Sequence, residues 1–245
     1  MEWFDCCAEF GVPGIPPGPF AATPAELLDE MDFCGVPEAL VSHVAMRDES
    51  PQAGNRLVSE ATQNQPRLHP VWAIVPLHTG ELGTPTAWFD AMRADRVKAV
   101  TAYPDRHRYL LNGLTFGPLF EEMSARKIPL ILAPDWRGIT SLLAEFPRLT
   151  VIVTKHSNWG EDRYFRPLLE RYQRFHIDTS NYDLDGGVAD AVARYGPDRL
   201  LYGSGFPTLQ MGGSLLTVAQ AGISDDAKAA IAGGNLRRLL SEVKL

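Results

Sequence analysis

Three side chains able to move protons or bind a metal lie at the ends of short apolar segments. Cys7 and Glu9 close the first segment, and His156 follows the segment Thr150-Val-Ile-Val-Thr154. A thiol, a carboxylate and an imidazole can act as acids and bases, and all three are zinc ligands. Each also has a structural interpretation: a small buried cysteine, a loop carboxylate paired with an arginine and a loop histidine bonded to the backbone. The residue types leave both interpretations open.

A second group of residues could bind a small anionic molecule. Arg106 and Arg108 can hold a carboxylate through paired N–H groups, although a solvated loop is the alternative. Trp72, Trp136 and Trp159 could stack on an aromatic ligand or pack at a strand end. Ser204 and Cys7 are potential nucleophiles, but no Gly-x-Ser-x-Gly motif accompanies them.

Short apolar segments alternate with amphipathic stretches along the whole chain. The predicted strands span 3–7, 39–43, 68–75, 97–101, 129–133, 150–154, 175–179 and 199–203. The predicted helices span 23–35, 55–63, 86–93, 116–126, 139–145, 165–172, 188–195 and 225–240. Eight such repeats within 245 residues predict an α/β fold, a (β/α)8 barrel forming one domain over residues 1–245. No Gly-x-Gly-x-x-Gly motif follows the first strand, so a dinucleotide site is not expected.

In such a barrel, functional groups project from the carboxyl ends of the strands and the loops that follow. This rule selects the candidate residues of the chain. They are Asp5, Cys7, Glu9, His43, Tyr103, Arg106, His107, Arg108, Asp135, Trp136, Lys155, His156, Asp178, Ser180 and Ser204. His176 and Asp178 share one strand face, and Asp178 can either reach the pocket or hold a neighbouring strand.

Composition limits the classes of partner. The net charge of −7 disfavours nucleic acid and anionic membranes. The longest apolar runs are far shorter than the roughly 20 residues of a spanning helix. Three cysteines and an acidic start predict a cytoplasmic protein with free thiols. The oligomeric state stays open, a homodimer included.

Several segments resemble the amidohydrolase-2 family. Phe4-Asp-Cys-Cys-Ala-Glu-Phe-Gly11 is similar to its first strand, which usually reads Asp-x-His-x-His. Asp198-Arg-Leu-Leu-Tyr-Gly-Ser-Gly-Phe-Pro207 resembles its eighth-strand segment, and Ile231–Leu240 resembles its closing helix. Leu149–Gly160 and His176–Ser180 resemble its sixth and seventh strands. The similarity extends over almost the whole chain and implies a barrel of hydrolases and nonoxidative decarboxylases.

The resemblance also implies one divalent metal held by histidines and an aspartate. This chain has Cys7 and Glu9 at the two first-strand positions, Ala133 at the fifth and Gly205 at the eighth. At the sixth strand, either Lys155 or His156 corresponds to the position where the family often has a metal-binding histidine. We therefore expect no metal cofactor, with zinc on Cys7, Glu9 and His156 as the alternative.

The resemblance and the residues together predict an enzyme that acts on a small carboxylated or aromatic molecule without the usual metal. Hydrolysis, lactone opening and decarboxylation are all compatible with it. The predicted catalytic residues are Glu9, His156, Cys7 and Asp178, and the predicted substrate-binding residues are His43, Tyr103, Arg106, Arg108, Trp136, Lys155 and Ser204. A catalytically inactive barrel that binds a ligand or serves assembly is an alternative, as is a Cys/Glu/His metal hydrolase.

Overall fold

Eight short strands alternate with helices along the chain. The computed structural model describes residues 1–15, 18–157, 160–182 and 184–245. The strands are β1 (Phe4–Phe10), β2 (Glu38–His43), β3 (Leu68–Ile74), β4 (Ala99–Ala102), β5 (Leu130–Leu132), β6 (Val151–Val153), β7 (Phe175–Asp178) and β8 (Leu200–Leu201). The helices are α1 (Pro24–Cys34), α2 (Ala45–Asp48), α3 (Pro51–Thr62), α4 (Pro85–Ala94), α5 (Pro104–His107), α6 (Gly113–Arg126), α7 (Trp136–Glu145), α8 (Asp162–Arg171), α9 (Gly187–Tyr195), α10 (Met211–Ala219), α11 (Asp225–Ala229) and α12 (Asn235–Ser241).

The strands form one sheet in chain order. Each strand pairs in parallel with the next, from β1 to β8. The Cys6 N–H donates to the carbonyl of Tyr202, just after β8, at 3.0 Å and joins the two ends of the sheet. The predicted (β/α)8 barrel is therefore confirmed.

The barrel interior is plugged at the amino end of the strands. Apolar side chains from seven of the eight strands meet α12 there. They are Phe4, Cys6, Leu40, Val71, Ala99, Ile131, Ile152 and Leu201, which form one apolar cluster with Leu236, Leu239 and Leu240. Arg237 of α12 fixes this end because it donates to the Glu2 carbonyl at 2.9 Å and to Glu38 Oε1 at 2.7 Å. Open space is left at the carboxyl end, where barrel enzymes carry their chemistry.

Capping residues explain where the helices begin. Thr23 Oγ1 accepts the Glu26 N–H ahead of α1, and Ser50 Oγ accepts the Ala53 N–H ahead of α3. Each cap is followed by proline at the first helical position. Helix α3 begins at Pro51 rather than at the predicted residue 55, because Ser50 caps it and Pro51 suits the first helical position.

The remaining differences from the predicted elements concern short or glycine-rich segments. Helices α2, α5 and α10 were not predicted: two of them have four residues each, and α10 contains Gly212 and Gly213. The predicted helix over 225–240 is interrupted by a π turn at Ala230–Gly234. A Cβ on Gly233 would lie 2.4 Å from the Glu2 carbonyl, so glycine permits the close approach of this turn to β1. Asn235 then donates to the carbonyls of Pro197 and Leu200, which ties the turn to β8.

Among the described residues, no helix combines the length and the hydropathy that a bilayer crossing requires.

Candidate active site

A cavity of about 410 Å³ opens at the carboxyl end of the strands. Its walls come from the ends of β1, β2, β4, β5 and β6 and from the loops that follow them. The polar side chains that line it are Cys7, Glu9, Ser42, Arg47, Thr101, Tyr103, Asp105, Arg106, Asp135, Thr154, Lys155 and Thr208. The volume is in the range of pockets that hold small ligands. This cavity is the candidate active site.

Glu9 lies in the cavity wall and is paired with Arg47 of α2. The Arg47 guanidinium donates to Glu9 Oε1 at 3.0 Å and to Oε2 at 2.9 Å, and it also bonds Asp48. Glu9 is only 5 % exposed, and a carboxylate this deeply buried needs a cationic partner. This pair is the structural alternative that the sequence offered for Glu9, a carboxylate paired with an arginine. Sequence reasoning missed Arg47 itself because α2 was not predicted.

At the end of β2, Ser42 rather than His43 reaches the cavity. Leu40 and Ser42 line the cavity, so the alternation of a strand turns His43 to the other face. There its Nδ1 accepts the Ala45 N–H at 3.1 Å, and its ring packs edge-on against Phe10 with centroids 5.1 Å apart. Burial lowers the pKa of His43, although Glu49 and Glu9 oppose that shift. The structure does not place His43 against a ligand.

Tyr103 lines the cavity beyond the end of β4. Burial, and after it the charge of Glu9, raises the pKa of its phenol far above the usual value. The hydroxyl therefore stays a neutral hydrogen-bond donor. Tyr109, which was not predicted as a site residue, fixes the backbone because its Oη accepts the Tyr103 N–H at 3.0 Å and donates to the Ile74 carbonyl at 3.0 Å.

After β6, Lys155 faces the cavity and His156 does not. Lys155 has a φ of +59°, a conformation that a residue with a Cβ adopts rarely. Its N–H is held by Asp178 Oδ1 at 3.1 Å and by Ser180 Oγ at 3.2 Å. The left-handed backbone directs the lysine side chain to the mouth of the barrel.

His156 is fully buried behind the cavity wall. Its Nε2 lies 2.9 Å from the Asp178 carbonyl, and its Nδ1 lies 3.2 Å from the Ser157 carbonyl. The ring packs against Phe165 and Tyr182. The sequence predicts that His156 lies in the pocket. The structure instead places it against the backbone at the end of β7, where it supports that strand. Asn158 and Trp159, which follow, lie outside the described residues.

The predicted anion-binding residues separate into two groups. Arg106 lies between the cavity and a neighbouring surface groove and lines both, whereas Arg108 lines only the groove, together with Glu49 and His78. Trp136 is not part of the cavity wall; its ring stacks on Tyr164 with centroids 5.9 Å apart. Ser204 is buried below the floor, where its Oγ accepts the Phe206 N–H at 3.0 Å. In the part of the chain that is described, neither Arg106 nor Lys155 forms an ion pair.

Buried acidic groups lie beneath the floor of the cavity. Asp5 Oδ1 accepts the N–H groups of Cys7 and Ser204, and the Cys7 thiol donates to Asp178 Oδ2 at 3.1 Å. Burial raises the pKa of Asp5 to about 6, and the nearby charge of Asp178 adds to the shift. Burial likewise raises the pKa of Asp178. A hydrogen bond with Cys6, together with burial, raises the pKa of Cys7 well above its usual value, so Cys7 is a thiol rather than a ready nucleophile.

A barrel with this topology, whose polar residues gather at the carboxyl end of the strands, defines the class of TIM-barrel enzymes. The family model described as amidohydrolase (Amidohydro_2) matches residues 9–241. The chain belongs to this family and is an enzyme of the amidohydrolase superfamily, a hydrolase or a lyase.

Solved structures of similar fold extend over almost the whole chain. The 2,6-dihydroxybenzoate decarboxylase from Rhizobium aligns with a TM-score of 0.76 at 16% identity and covers 98% of this chain and 99% of its own. The 5-carboxyvanillate decarboxylase from Sphingomonas paucimobilis gives 0.72 at 16% identity, covering 99% of both chains. A protein described as probable 2-pyrone-4,6-dicarboxylic acid hydrolase, from Acinetobacter baumannii, gives 0.72 at 13% identity and covers 98% of this chain and 100% of its own. A search of curated proteins returned no match.

The residues present do not fit the metal centre that the family implies. Ala133 and Gly205 have no donor atom, and Lys155 contributes a cation. Glu9 is paired through both oxygens with the Arg47 guanidinium, and this positive charge opposes a metal ion beside the carboxylate, which leaves only Cys7. A side chain at Gly205 would also be strained, because its φ is +66° and a Cβ would lie 2.9 Å from Leu209. The alternative site of Cys7, Glu9 and His156 is not assembled either, since His156 lies behind the wall.

Proposed function

We propose that this protein is a metal-independent hydrolase or lyase that acts on a small carboxylated ring compound at the barrel mouth. Lactone or ester hydrolysis and nonoxidative decarboxylation are the reactions that we consider. The observation that carries the proposal is a pair of cations at the cavity, Arg106 and Lys155, neither of which forms a salt bridge among the described residues. The charge of Asp48 also acts on Arg106. The names of the similar proteins support it, because each refers to a carboxylated ring compound.

The two cations suit a substrate carboxylate. An arginine can bind both oxygens of a carboxylate, and a lysine ammonium adds a point charge beside it. Lys155 is held in a costly backbone conformation by Asp178 and Ser180, and such strain is often stored where a side chain must be aimed precisely. We infer that the negative charge that develops during the reaction is stabilised here by Lys155, at the mouth where the family's metal would lie.

Glu9 and Tyr103 supply the proton transfers in this proposal. Each Glu9 oxygen accepts one N–H of the Arg47 guanidinium and keeps a free lone pair for a water molecule or a substrate hydroxyl. Tyr103, neutral and in the same wall, donates a hydrogen bond to an oxygen of the substrate. His43, His156, Arg108, Trp136 and Ser204 have no contact with the substrate in this arrangement.

The proposal is tested with chelator-treated protein and a panel of hydroxybenzoates, pyrone carboxylates and lactones. We expect turnover of at least one compound, followed by its ultraviolet spectrum and by carbon dioxide release. Arg106→Gln is expected to raise KM about 10-fold or more, since it removes a charge-assisted hydrogen bond. Lys155→Met is expected to lower kcat by roughly 100-fold.

Arg108→Gln is the matched control, because it removes the same charge two residues away but outside the cavity. Equal effects of the Arg106 and Arg108 variants would contradict the proposed anchor. Binding of panel members without turnover would contradict the enzymatic part of the proposal and favour a ligand-binding barrel instead.

A further inference from the structure

Soft and acidic donor atoms come together beneath the floor of the cavity. The Sγ atoms of Cys6 and Cys7 and a carboxylate oxygen of Asp178 all lie within 4.8 Å of one another. The Cys7 thiol and Asp178 Oδ2 are already in contact at 3.1 Å. The family implies metal ligands on the first, fifth, sixth and eighth strands. Of those positions, only Cys7 belongs to this group.

The local backbone explains how two adjacent cysteines reach the same space. Successive side chains of a regular strand point to opposite faces, but the pairing of β1 with β2 shifts register between Asp5 and Ala8. Both cysteines therefore border the cavity. On the opposite side, a Cβ at residue 203 would lie 2.5 Å from Asp178 Oδ2 and 3.0 Å from Cys6 Sγ, so the glycine there keeps this space free.

A fourth group nearby has an unmet bonding requirement. Asp5 is fully buried, and its Oδ2 has no hydrogen-bond partner among the described residues. Within the same described part of the chain, no basic side chain forms an ion pair with Asp5 or with Asp178. Buried polar atoms normally have partners, and a buried oxygen without one calls for an explanation. A cation bound nearby would offset the buried negative charge of Asp5.

We propose that Cys6, Cys7 and Asp178 form a binding site for a soft divalent cation of the zinc or cadmium class. On binding, the ion displaces the protons of the two thiols. Two thiolates and one carboxylate are ligands of the kind that zinc takes, and three protein ligands leave a fourth position for water. That position faces the cavity, because Cys6 and Cys7 border it, and the ion enters from there. Asp5 lies next to this site and adds negative charge.

The ligands of the ion are not substrate contacts of the proposed reaction, although Asp178 also accepts the Lys155 N–H. The Cys6 and Cys7 variants, rather than Asp178→Asn, therefore separate ion binding from turnover. The proposed substrate contacts, Arg106, Lys155, Glu9 and Tyr103, are not ligands of the ion, and the turnover experiment uses protein from which metal has been removed. Loss of ion binding and loss of turnover can therefore be observed independently.

The experiment is a titration of chelator-treated, reduced protein with cadmium, followed by the ultraviolet charge-transfer band of the cadmium–thiolate bond. We expect a band that saturates at one ion per chain. Cys6→Ser and Cys7→Ser should each lose about half of its intensity, since each removes one of two thiolates, and Asp178→Asn should weaken binding by at least ~10-fold. Zinc should displace cadmium and abolish the band.

Cys34→Ser is the matched control, because Cys34 is the third free cysteine and lies outside this group. It should leave the band unchanged. Far-ultraviolet circular dichroism confirms that each variant is folded, and a variant that is not folded is replaced by the alanine substitution at the same position. The proposal is overturned if the native chain shows no band, if the band depends on Cys34, or if Asp178→Asn binds cadmium as tightly as the native chain.

Discussion

At the scale of single residues, the pair of Glu9 and Arg47 shows how one contact decides what a side chain can do. Glu9 is almost fully buried at the cavity wall, and the Arg47 guanidinium reaches it from a helix 38 residues further along the chain. Without that cation, Glu9 would be a buried and unpaired charge. The contact therefore contributes to the stability of the barrel mouth and orients the carboxylate of the proposed base.

We predict that Arg47→Leu destabilises the protein by roughly 1–3 kcal/mol. Removal of one partner of a buried pair costs about 3–5 kcal/mol, and the partial exposure of Arg47 reduces this value. Urea unfolding checks the prediction. The double variant Glu9→Gln, Arg47→Leu should recover part of the loss, because no charge is then left unpaired. A single variant as stable as the native chain would contradict the account.

At the scale of secondary-structure elements, buried polar contacts attach the helices to the barrel. Asn55 of α3 is an example: its Nδ2 donates to the Ala73 carbonyl at 2.9 Å, and its Oδ1 accepts the Ala73 N–H at 2.7 Å. One side chain thereby satisfies both backbone groups of a residue in β3. The contact fixes α3 along the strand more specifically than apolar packing would.

We predict that Asn55→Ala lowers the free energy of unfolding by about 2 kcal/mol or more, because it leaves a buried N–H and a buried carbonyl without partners. Asn64→Ala, at an exposed position just after the same helix, should change it by less than about 0.5 kcal/mol. Chemical denaturation of both variants tests this. Similar values for the two would show that the Asn55 contacts contribute little.

At the scale of the whole molecule, Arg237 joins the two ends of the chain. It lies in the last helix and contacts Glu2 and Glu38 at the beginning of the first two strands. His69 Nε2 is also 3.0 Å from Glu38 Oε2. Burial opposes the ionisation of Glu38, but the hydrogen bonds from Arg237 and His69 outweigh it and lower the pKa of Glu38 from its usual value.

The lowered pKa of Glu38 predicts how the stability of the protein depends on pH. A carboxyl group whose pKa is lower in the folded state stabilises the protein above its unfolded pKa, and that stability is lost as the pH falls through the folded pKa. The native chain should therefore exceed Glu38→Gln in stability at pH 7, and the difference should shrink below about pH 4.5. Urea unfolding between pH 3 and pH 7 measures it. A difference independent of pH would indicate that packing, rather than charge, is responsible.

Sequence alone determined the order of the elements and the chemical types at the barrel mouth. Alternating apolar and amphipathic segments, with caps such as Thr23-Pro24, are local properties of the chain, and they predicted eight strand–helix repeats. The absence of ligand atoms at Ala133 and Gly205 is likewise a property of the side chains themselves.

Only the tertiary structure decided which side chains meet. The positive φ at Lys155 turns that lysine to the cavity and leaves His156 behind the wall, and a register shift in β1 brings Cys6 beside Cys7. Arg47 pairs with Glu9, which lies 38 residues earlier in the sequence. Asp178 accepts a hydrogen bond from Cys7, which lies 171 residues earlier. These contacts depend on backbone irregularities and on distant parts of the chain, because the direction of a side chain follows from the three-dimensional path of its backbone rather than from its neighbours in sequence.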